Sequence, residues 1–288
     1  MAATRATEGG ATEKEGREGV EQIELDLLLE AMYRRYGFDF REYASASLRR
    51  RVARRMRHEG VETVSALQDL VLRDPEVMER LILDLSINVT AMFRDPTFYA
   101  ALRERVVPEL RTYPFTRIWV AGCSTGEEVY SLAILLEEEG LNDRTRIYAT
   151  DLNEAVLETA RRGVFSLQKM QEYTQNYLRA GGKRAFSDYY VSAYDGAAFD
   201  RELARNVVFA HHNLVSDRSF NEFQLIICRN VMIYFDRSLQ NRVHELFYES
   251  LVRLGVLALG HKESIRFSPY ADRYKELDAD ERIYKKRR

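Results

Sequence analysis

Two adjacent acids, Glu127 and Glu128, open a helix directly after a loop bounded by Gly122 and Gly126. The loop follows the apolar run Ile118–Ala121, so the sequence places a strand, a tight turn and a helix in succession. A dinucleotide-binding turn would continue G-x-G-x-x-G and leave the helix N-terminus open for a pyrophosphate. Carboxylates in the first helical turn repel phosphate and attract a cation. They favour S-adenosylmethionine, which carries an ammonium and a sulfonium; compensation of the helix dipole is the alternative.

Polar side chains also follow the later strands. Asp151 ends the second strand, where an acid accepts hydrogen bonds from both ribose hydroxyls of an adenosyl group. Glu127 would then hold the ammonium. Capping of the next helix by Asp151 is the alternative, and Asn153 competes for that position. Asn213 and Asn230 follow the third and fourth strands, where an amide suits adenine or amino-acid recognition, although either could simply satisfy a turn.

A third polar set lies where a helical segment gives way to the α/β pattern. It consists of Asn88, Thr90 and Arg94. Ligands are commonly bound in clefts between domains, so we expect this junction to close the site with the arginine. A structural salt bridge of Arg94 is the alternative.

The N-terminal third predicts helices. Residues 1–20 are small, polar and charged without apolar periodicity, which predicts a disordered tail. Residues 21–94 predict a small helical domain in which the first helix stops near Gly37 and Pro75 opens the fourth. Asp95 before Pro96 predicts the N-cap of a further helix. The apolar residues predicted to face inward are Leu25, Leu28, Leu29, Met32, Leu48, Val52, Met56, Val64, Leu67, Leu70, Val71, Val77, Leu81 and Leu85.

Residues 95–288 predict an α/β domain. Five apolar runs typical of strands buried on both faces alternate with helices, which favours a mostly parallel sheet. Residues 163–205 break this rhythm and predict a small antiparallel insertion, either an interaction surface or a tolerated loop. The predicted strands are Ile118–Ala121, Ile147–Thr150, Val207–Ala210, Leu225–Cys228 and Val256–Leu259, with Ile283–Tyr284 as a candidate last strand. The predicted helices are Glu127–Glu139, Asn153–Arg162 and Ser238–Leu254.

Composition narrows the functional class. A net charge of −2 gives no overall attraction to nucleic acid or to a membrane. No apolar run approaches the length of a membrane span and no secretory segment is evident, so we expect a cytoplasmic protein without membrane insertion. Cys123 and Cys228 each follow an apolar run and are interpreted as small buried residues in a reducing compartment. No metal site is predicted.

Seven dispersed motifs, in a fixed order and spacing, cover the chain from about Leu25 to Lys286. They are Asn88-Val89-Thr90, Phe93-Arg94-Asp95, AGCSTGEEVYSLAI, ATDLN, AHHNLV, CRNVMIYF and LALGHKES. Together they resemble the CheR-type chemoreceptor glutamate methyltransferases of bacterial chemotaxis. Two positions depart from the family pattern, Ala91 where many relatives carry an acid and Val129 where a proline is common, and neither is a presumed ligand.

The resemblance implies an all-helical domain followed by a Rossmann-like S-adenosylmethionine-dependent methyltransferase sheet with a short antiparallel insertion. It implies methyl esters on receptor glutamates, with S-adenosylhomocysteine as product. Arg94 and Tyr234 would orient the substrate, and the insertion docks a receptor tail peptide in some members only. The implied cofactor contacts are Asn88, Thr90, Arg94, Glu127, Asp151, Asn213, Leu214, Asn230 and Val231.

The second predicted helix concentrates positive charge in a slightly acidic chain. Arg50, Arg54 and Arg57 fall on one stripe, opposite the apolar face of that helix. The stripe complements the acidic surface of a receptor helical bundle, although an RNA backbone or plain solvation would also suit it. The arginines therefore raise methylation of RNA or of another protein as a competing function, although no nucleic-acid partner is expected. A cofactor-sensing scaffold that has lost transfer is a competing function of another class.

Overall fold

The computed structural model shows a chain that divides into two compact units, Met1–Ile87 and Asn88–Arg288. The division falls before the predicted boundary at Arg94, so this residue and Thr90 belong to the second unit. The described residues are 6–86, 90–193 and 196–287. Asn88, a predicted cofactor contact, lies outside them.

The N-terminal unit is helical because apolar residues recur at helical spacing and pack on one another. Every residue predicted to face inward is buried except Met56 and Leu70, which are half-buried. Gly37, with a φ of 79°, follows the first helix, and Asp74 caps the fourth by accepting a hydrogen bond from the N–H of Glu76. The helices are α1 Ala6–Tyr36, α2 Ser45–Glu59, α3 Val64–Arg73 and α4 Pro75–Leu85.

Residues 1–20 were predicted to form a disordered tail, but the first helix already begins at Ala6. The prediction rested on missing apolar periodicity, which measures core packing. Ala, Glu, Lys and Arg in this segment favour extension of a helix that is already nucleated, whereas Gly9, Gly10, Gly16 and Gly19 oppose it. Packing nevertheless starts later, because Leu25 is the first buried apolar residue among the described side chains.

The second unit contains a mostly parallel seven-stranded sheet, as predicted. Its order is β6-β2-β1-β7-β8-β10-β9, in which only β10 runs antiparallel to its two neighbours. The order reverses between β1 and β7, the position at which open α/β sheets bind ligands beyond their carboxyl ends. The strands are β1 Thr116–Ala121, β2 Thr145–Asp151, β6 Val207–His211, β7 Phe223–Cys228, β8 Leu251–Leu259, β9 Tyr274–Asp278 and β10 Ile283–Lys286, with β3 Val164–Ser166, β4 Tyr190–Ala193 and β5 Gly196–Phe199 in the insertion.

The helices of this unit cover the sheet. A π-helical turn, Leu102–Val106, joins the first two of them into one continuous helix. The predicted helix Ser238–Leu254 is too long, because β8 already begins at Leu251. The helices are α5 Pro96–Ala101, α6 Val107–Leu110, α7 Glu127–Glu138, α8 Glu154–Arg162, α9 Met170–Arg179 and α10 Arg237–Ser250.

The insertion folds as a three-stranded antiparallel sheet in the order β3-β5-β4, as predicted. It also contains α9, which the sequence analysis missed. The buried face of α9 consists of Met170, Tyr173 and Tyr177, so it is largely aromatic rather than aliphatic and gives a weak helical signal.

Two local predictions are wrong for reasons of tertiary structure. Asp95 has a φ of 57° and does not cap α5, because its carboxylate pairs with Arg229 instead. Strand β6 is not buried on both faces: it lies at the sheet edge, and Val208 is 39% exposed. No helix within the described ranges has the length and apolar character that crossing a bilayer requires.

Candidate cofactor site

The glycine loop between β1 and α7 is shaped by close neighbours on two sides. At Gly122, with a φ of 76°, an added Cβ would lie 2.4 Å from a methyl carbon of Val231. At Gly126, with a φ of 97°, it would lie 2.8 Å from the Cβ of Ala160. Any side chain at either glycine would clash. The loops that follow β1 and β7 therefore meet at the point where the strand order reverses.

Asp151 fixes the same loop from the end of β2. Its carboxylate accepts one hydrogen bond from the N–H of Ser124 at 2.9 Å and one from the N–H of Asn153 at 3.0 Å. Asn153 itself caps α8 by accepting from the N–H of Ala155 at 2.9 Å, so the capping alternative for Asp151 is excluded. Burial raises the pKa of Asp151, and these N–H donors oppose that rise. A carboxylate has about four lone-pair sites, so Asp151 keeps capacity to accept from a ribose hydroxyl.

Glu127, in the first turn of α7, is 3% exposed. Its carboxylate accepts hydrogen bonds from the hydroxyl of Thr125 at 2.6 Å and from that of Tyr173 at 3.4 Å. Within the part of the chain that the structure describes, no arginine or lysine forms an ion pair with it. Both donors are neutral hydroxyl groups, and further lone pairs on the carboxyl oxygens stay available to a guest.

The segment that carries Arg94 is attached to the same helical turn. The N–H of Phe93 donates to the hydroxyl of Ser131 at 2.8 Å, and that hydroxyl donates to the carbonyl of Glu127 at 2.6 Å. Phe93 and Asp95 both have positive φ values, 48° and 57°. Such backbone strain is typical of functional sites and persists only where contacts hold it in place.

Arg229, directly after β7, connects three of these elements. Its buried guanidinium pairs with Asp95 at 2.6 Å and with Glu128 at 2.8 Å, and it donates to the carbonyl of Arg94 at 3.2 Å. It also lies 4.0 Å from the ring centre of Phe98. Glu128 is therefore an internal ion-pair partner, whereas none of the ion pairs among the described residues involves Glu127. The role of Arg229 was not predicted from the sequence, where its one signal is the position of an arginine directly after a buried strand.

Glu263, in the loop after β8, is a second residue that the sequence analysis missed. Its buried carboxylate accepts hydrogen bonds from four backbone N–H groups, at distances of 2.7–2.9 Å. The donors are Asn230, Val231, Met232 and Gly260. Asn230 has a φ of 61°, so Glu263 holds in a strained conformation the turn that contains two predicted cofactor contacts. Its only sequence signal was its place in the LALGHKES motif.

Asn213 and Leu214 follow the carboxyl end of β6, and Tyr234 follows that of β7. The side-chain oxygen of Asn213 accepts a hydrogen bond from the N–H of Val215 at 2.9 Å, so the turn alternative holds for that oxygen. Leu214, Thr90 and Tyr234 are half-buried, the last in a short 3₁₀ turn that follows Val231.

The two cysteines are buried and unbridged, on the neighbouring strands β1 and β7 or just beyond them. Burial raises the pKa of both Cys123 and Cys228 well above the usual thiol value. Each thiol is therefore protonated at neutral pH and a poor nucleophile. This agrees with the interpretation of both as small buried residues.

Comparison with known proteins identifies the family of this chain. Residues 88–282 match the family described as CheR methyltransferase, SAM binding domain, and residues 23–86 match CheR methyltransferase, all-alpha domain. The chain belongs to the CheR methyltransferase family. Its cofactor is S-adenosylmethionine. The acids at Glu127 and Asp151, the glycine loop and the turn at Asn230 fit this molecule, because they offer anionic and hydrogen-bonding groups to a cationic adenosyl donor.

Named members of the CheR family align with most of this chain. The Cher3 protein of Pseudomonas putida is 52% identical over 92% of this chain and 97% of its own length. The chemotaxis protein methyltransferase of Listeria innocua is 30% identical over 85% of this chain and 92% of its own. That of Escherichia coli is 30% identical over 81% of each chain.

Replacing Glu263 by Gln should weaken cofactor binding in this CheR family member. The new amide would direct N–H donors at backbone N–H donors and release the turn at Asn230. We expect the free energy of unfolding to fall by about 1–3 kcal/mol and the Kd for S-adenosylhomocysteine to rise about tenfold, as measured by denaturant unfolding and calorimetry. Glu276→Gln, which alters an exposed carboxylate, is the control. Unchanged affinity in the Glu263 variant would contradict the assigned role.

Proposed function

We propose that this protein is a cytoplasmic protein-glutamate O-methyltransferase that forms methyl esters on glutamate side chains of bacterial chemoreceptors. Family membership supports methyl transfer, and two of the relatives described above are named chemotaxis protein methyltransferases. The observation that carries the proposal is the attachment of the Arg94 segment to Glu127, through Phe93 and Ser131. This chain of hydrogen bonds supports a role for Arg94 close to the predicted cofactor acid.

A carboxylate substrate suits such a site. A glutamate side chain has an unperturbed pKa near 4.3, so at neutral pH it is already ionised and needs no general base. S-adenosylmethionine, when bound, supplies the electrophilic methyl group on its sulfonium. The protein must bring the carboxylate into line with the methyl–sulfur bond and remove its water.

Arg94 and Tyr234 are the residues that we assign to orientation. A guanidinium attracts and aligns the carboxylate, and the phenol hydroxyl offers a second, neutral hydrogen bond. Strong binding of the ground-state anion would slow the transfer. Both contacts should therefore orient the carboxylate while stabilising its ground state only weakly. No covalent intermediate is required. The nine predicted cofactor contacts retain the roles proposed for them in the sequence analysis.

The arginines of α2 supply a surface for the receptor. Arg51 is buried and donates to the carbonyl of Leu85, and Arg55 pairs with Asp84 at 2.5 Å, so these two stabilise the helical unit. Arg50, Arg54 and Arg57 are exposed, in agreement with the predicted stripe. We propose that this stripe contacts the acidic face of the receptor helical bundle. A receptor tail docked on the insertion remains a further prediction.

Incubation with methyl-labelled S-adenosylmethionine and a receptor cytoplasmic fragment tests the function. We expect label on the fragment that mild base releases, because methyl esters hydrolyse under those conditions and N-methyl groups do not. Base-stable label on protein or RNA would indicate the competing methyltransferase function. Cofactor binding without label on any receptor fragment would indicate a cofactor-sensing scaffold that has lost methyl transfer.

Arg94→Ala in the same assay should lower kcat by about 100-fold, because orientation is lost. The affinity for S-adenosylhomocysteine should be partly retained. Arg253→Ala, an exposed change near the amino end of β8, should behave as wild type. Unchanged turnover in the Arg94 variant would refute its role.

Reversal of Arg50 and Arg54 to Glu should weaken receptor binding and raise the KM for the fragment about tenfold, through lost attraction and new repulsion. The effect should shrink as salt is added, because exposed charges are screened. Binding to the fragment can be followed by calorimetry at two ionic strengths. Glu24→Gln, an uncharged replacement elsewhere in the helical unit, serves as control; equal binding by the reversed variant would rule out the surface.

A further inference from the structure

Tyr173 contacts the predicted cofactor acid from within the antiparallel insertion. It lies on α9, the helix that the sequence did not predict, and its side chain is fully buried. Its hydroxyl donates to Oε1 of Glu127 at 3.4 Å. The insertion therefore contributes a side chain to the first turn of α7, where the sequence analysis placed the ammonium of the cofactor.

The two oxygens of the Glu127 carboxylate are held from opposite sides of the sequence. Oε2 accepts a short hydrogen bond, 2.6 Å, from the hydroxyl of Thr125 in the glycine loop. Oε1 accepts the longer bond from Tyr173, which exceeds the usual O–H···O range of about 2.5–3.0 Å and is therefore weaker. Oε1 keeps more of its capacity to accept, so Tyr173 lies beside the oxygen that is better suited to an ammonium group.

Helix α9 is itself attached to the segment that precedes Arg94. The side-chain amide of Asn176 donates to the carbonyl of Met92 at 3.1 Å. The rings of Tyr177 and Phe93 lie edge to face, with their centres 5.3 Å apart. These contacts fix the helix against the same segment that is hydrogen-bonded to the first turn of α7, so the position of its tyrosine is determined by packing.

The phenol of Tyr173 remains a donor at neutral pH. Burial and the charge of Glu127 raise the pKa of Tyr173, so its hydroxyl keeps its proton. A phenylalanine at this position would fill the same space without the hydroxyl. The ring and the hydroxyl of Tyr173 can therefore be tested separately.

We propose that Tyr173 is a positioning residue for the cofactor, whose hydroxyl holds the Glu127 carboxylate in the orientation that receives the ammonium of S-adenosylmethionine. The inference rests on the role that the proposed function gives to Glu127 and deepens it, because it assigns part of the cofactor site to the insertion. The ribose is left to Asp151. Tyr173 should therefore matter for ligands that carry the amino-acid moiety and not for the adenosyl group alone.

Tyr173→Phe tests the role of the hydroxyl by calorimetry with two ligands. S-adenosylhomocysteine carries the amino acid, whereas methylthioadenosine retains the adenosyl group and lacks it. We expect the Kd for S-adenosylhomocysteine to rise about fivefold, the effect of one lost hydrogen bond. The Kd for methylthioadenosine should stay at the wild-type value. In a Glu127→Gln background, Tyr173→Phe should add little, because both changes act on one contact.

The matched control is Tyr270→Phe, which removes another phenol–carboxylate hydrogen bond, to Glu245 at 3.0 Å, and should leave both Kd values unchanged. If Tyr173→Phe leaves S-adenosylhomocysteine binding unchanged, or weakens both ligands equally, the positioning role is refuted. If Glu127→Gln binds S-adenosylhomocysteine as wild type does, the predicted role of Glu127 fails and the inference with it. None of these measurements uses a receptor, so absent label on receptor fragments would contradict the proposed function alone.

Discussion

Buried carboxylates at the carboxyl edge of the sheet must find hydrogen-bond donors, and here they find them in the backbone of the neighbouring loops. Asp151 takes the N–H groups of Ser124 and Asn153. Glu263 takes four more in the loops after β7 and β8. This arrangement shapes the loops around the glycine turn. It also consumes the N–H donors that a nucleotide phosphate would require, so the edge is suited to a cationic cofactor.

The buried cation Arg229 extends this organisation to the residues assigned to the substrate. A guanidinium removed from water is stable only when it is paired, and its partners Asp95 and Glu128 lie on two different elements. The pairing holds the strained backbone at Asp95 and therefore the position of Arg94. Glu127 and Glu128, adjacent in sequence, differ in their partners: Glu128 pairs with Arg229, whereas Glu127 accepts from the hydroxyls of Thr125 and Tyr173 and is the acid that we propose for the cofactor. The segments that carry the proposed cofactor acid and the proposed substrate arginine thus belong to one connected network.

The sequence predicted what local pattern and burial determine. Apolar runs located the sheet strands, and helical spacing located the core of the N-terminal unit, because both reflect the exclusion of apolar surface from water. Asp95 was misjudged because its partner, Arg229, is 134 residues away along the chain. The roles of Arg229 and Glu263 depend likewise on pairings across loops, which spacing in one sequence does not reveal. Helix α9 was not predicted, because its buried face carries Tyr173 and Tyr177 in place of aliphatic residues.

The central claim concerns the carboxyl edge of the sheet. Its charge and its occupied backbone N–H donors select a cationic adenosyl compound over a phosphorylated nucleotide. Calorimetry of the wild-type protein with S-adenosylmethionine, S-adenosylhomocysteine, ATP and NAD tests this directly. The account predicts saturable binding of both adenosyl compounds and no detectable binding of ATP or NAD. Tight binding of ATP or NAD, with S-adenosylhomocysteine ignored, would contradict it.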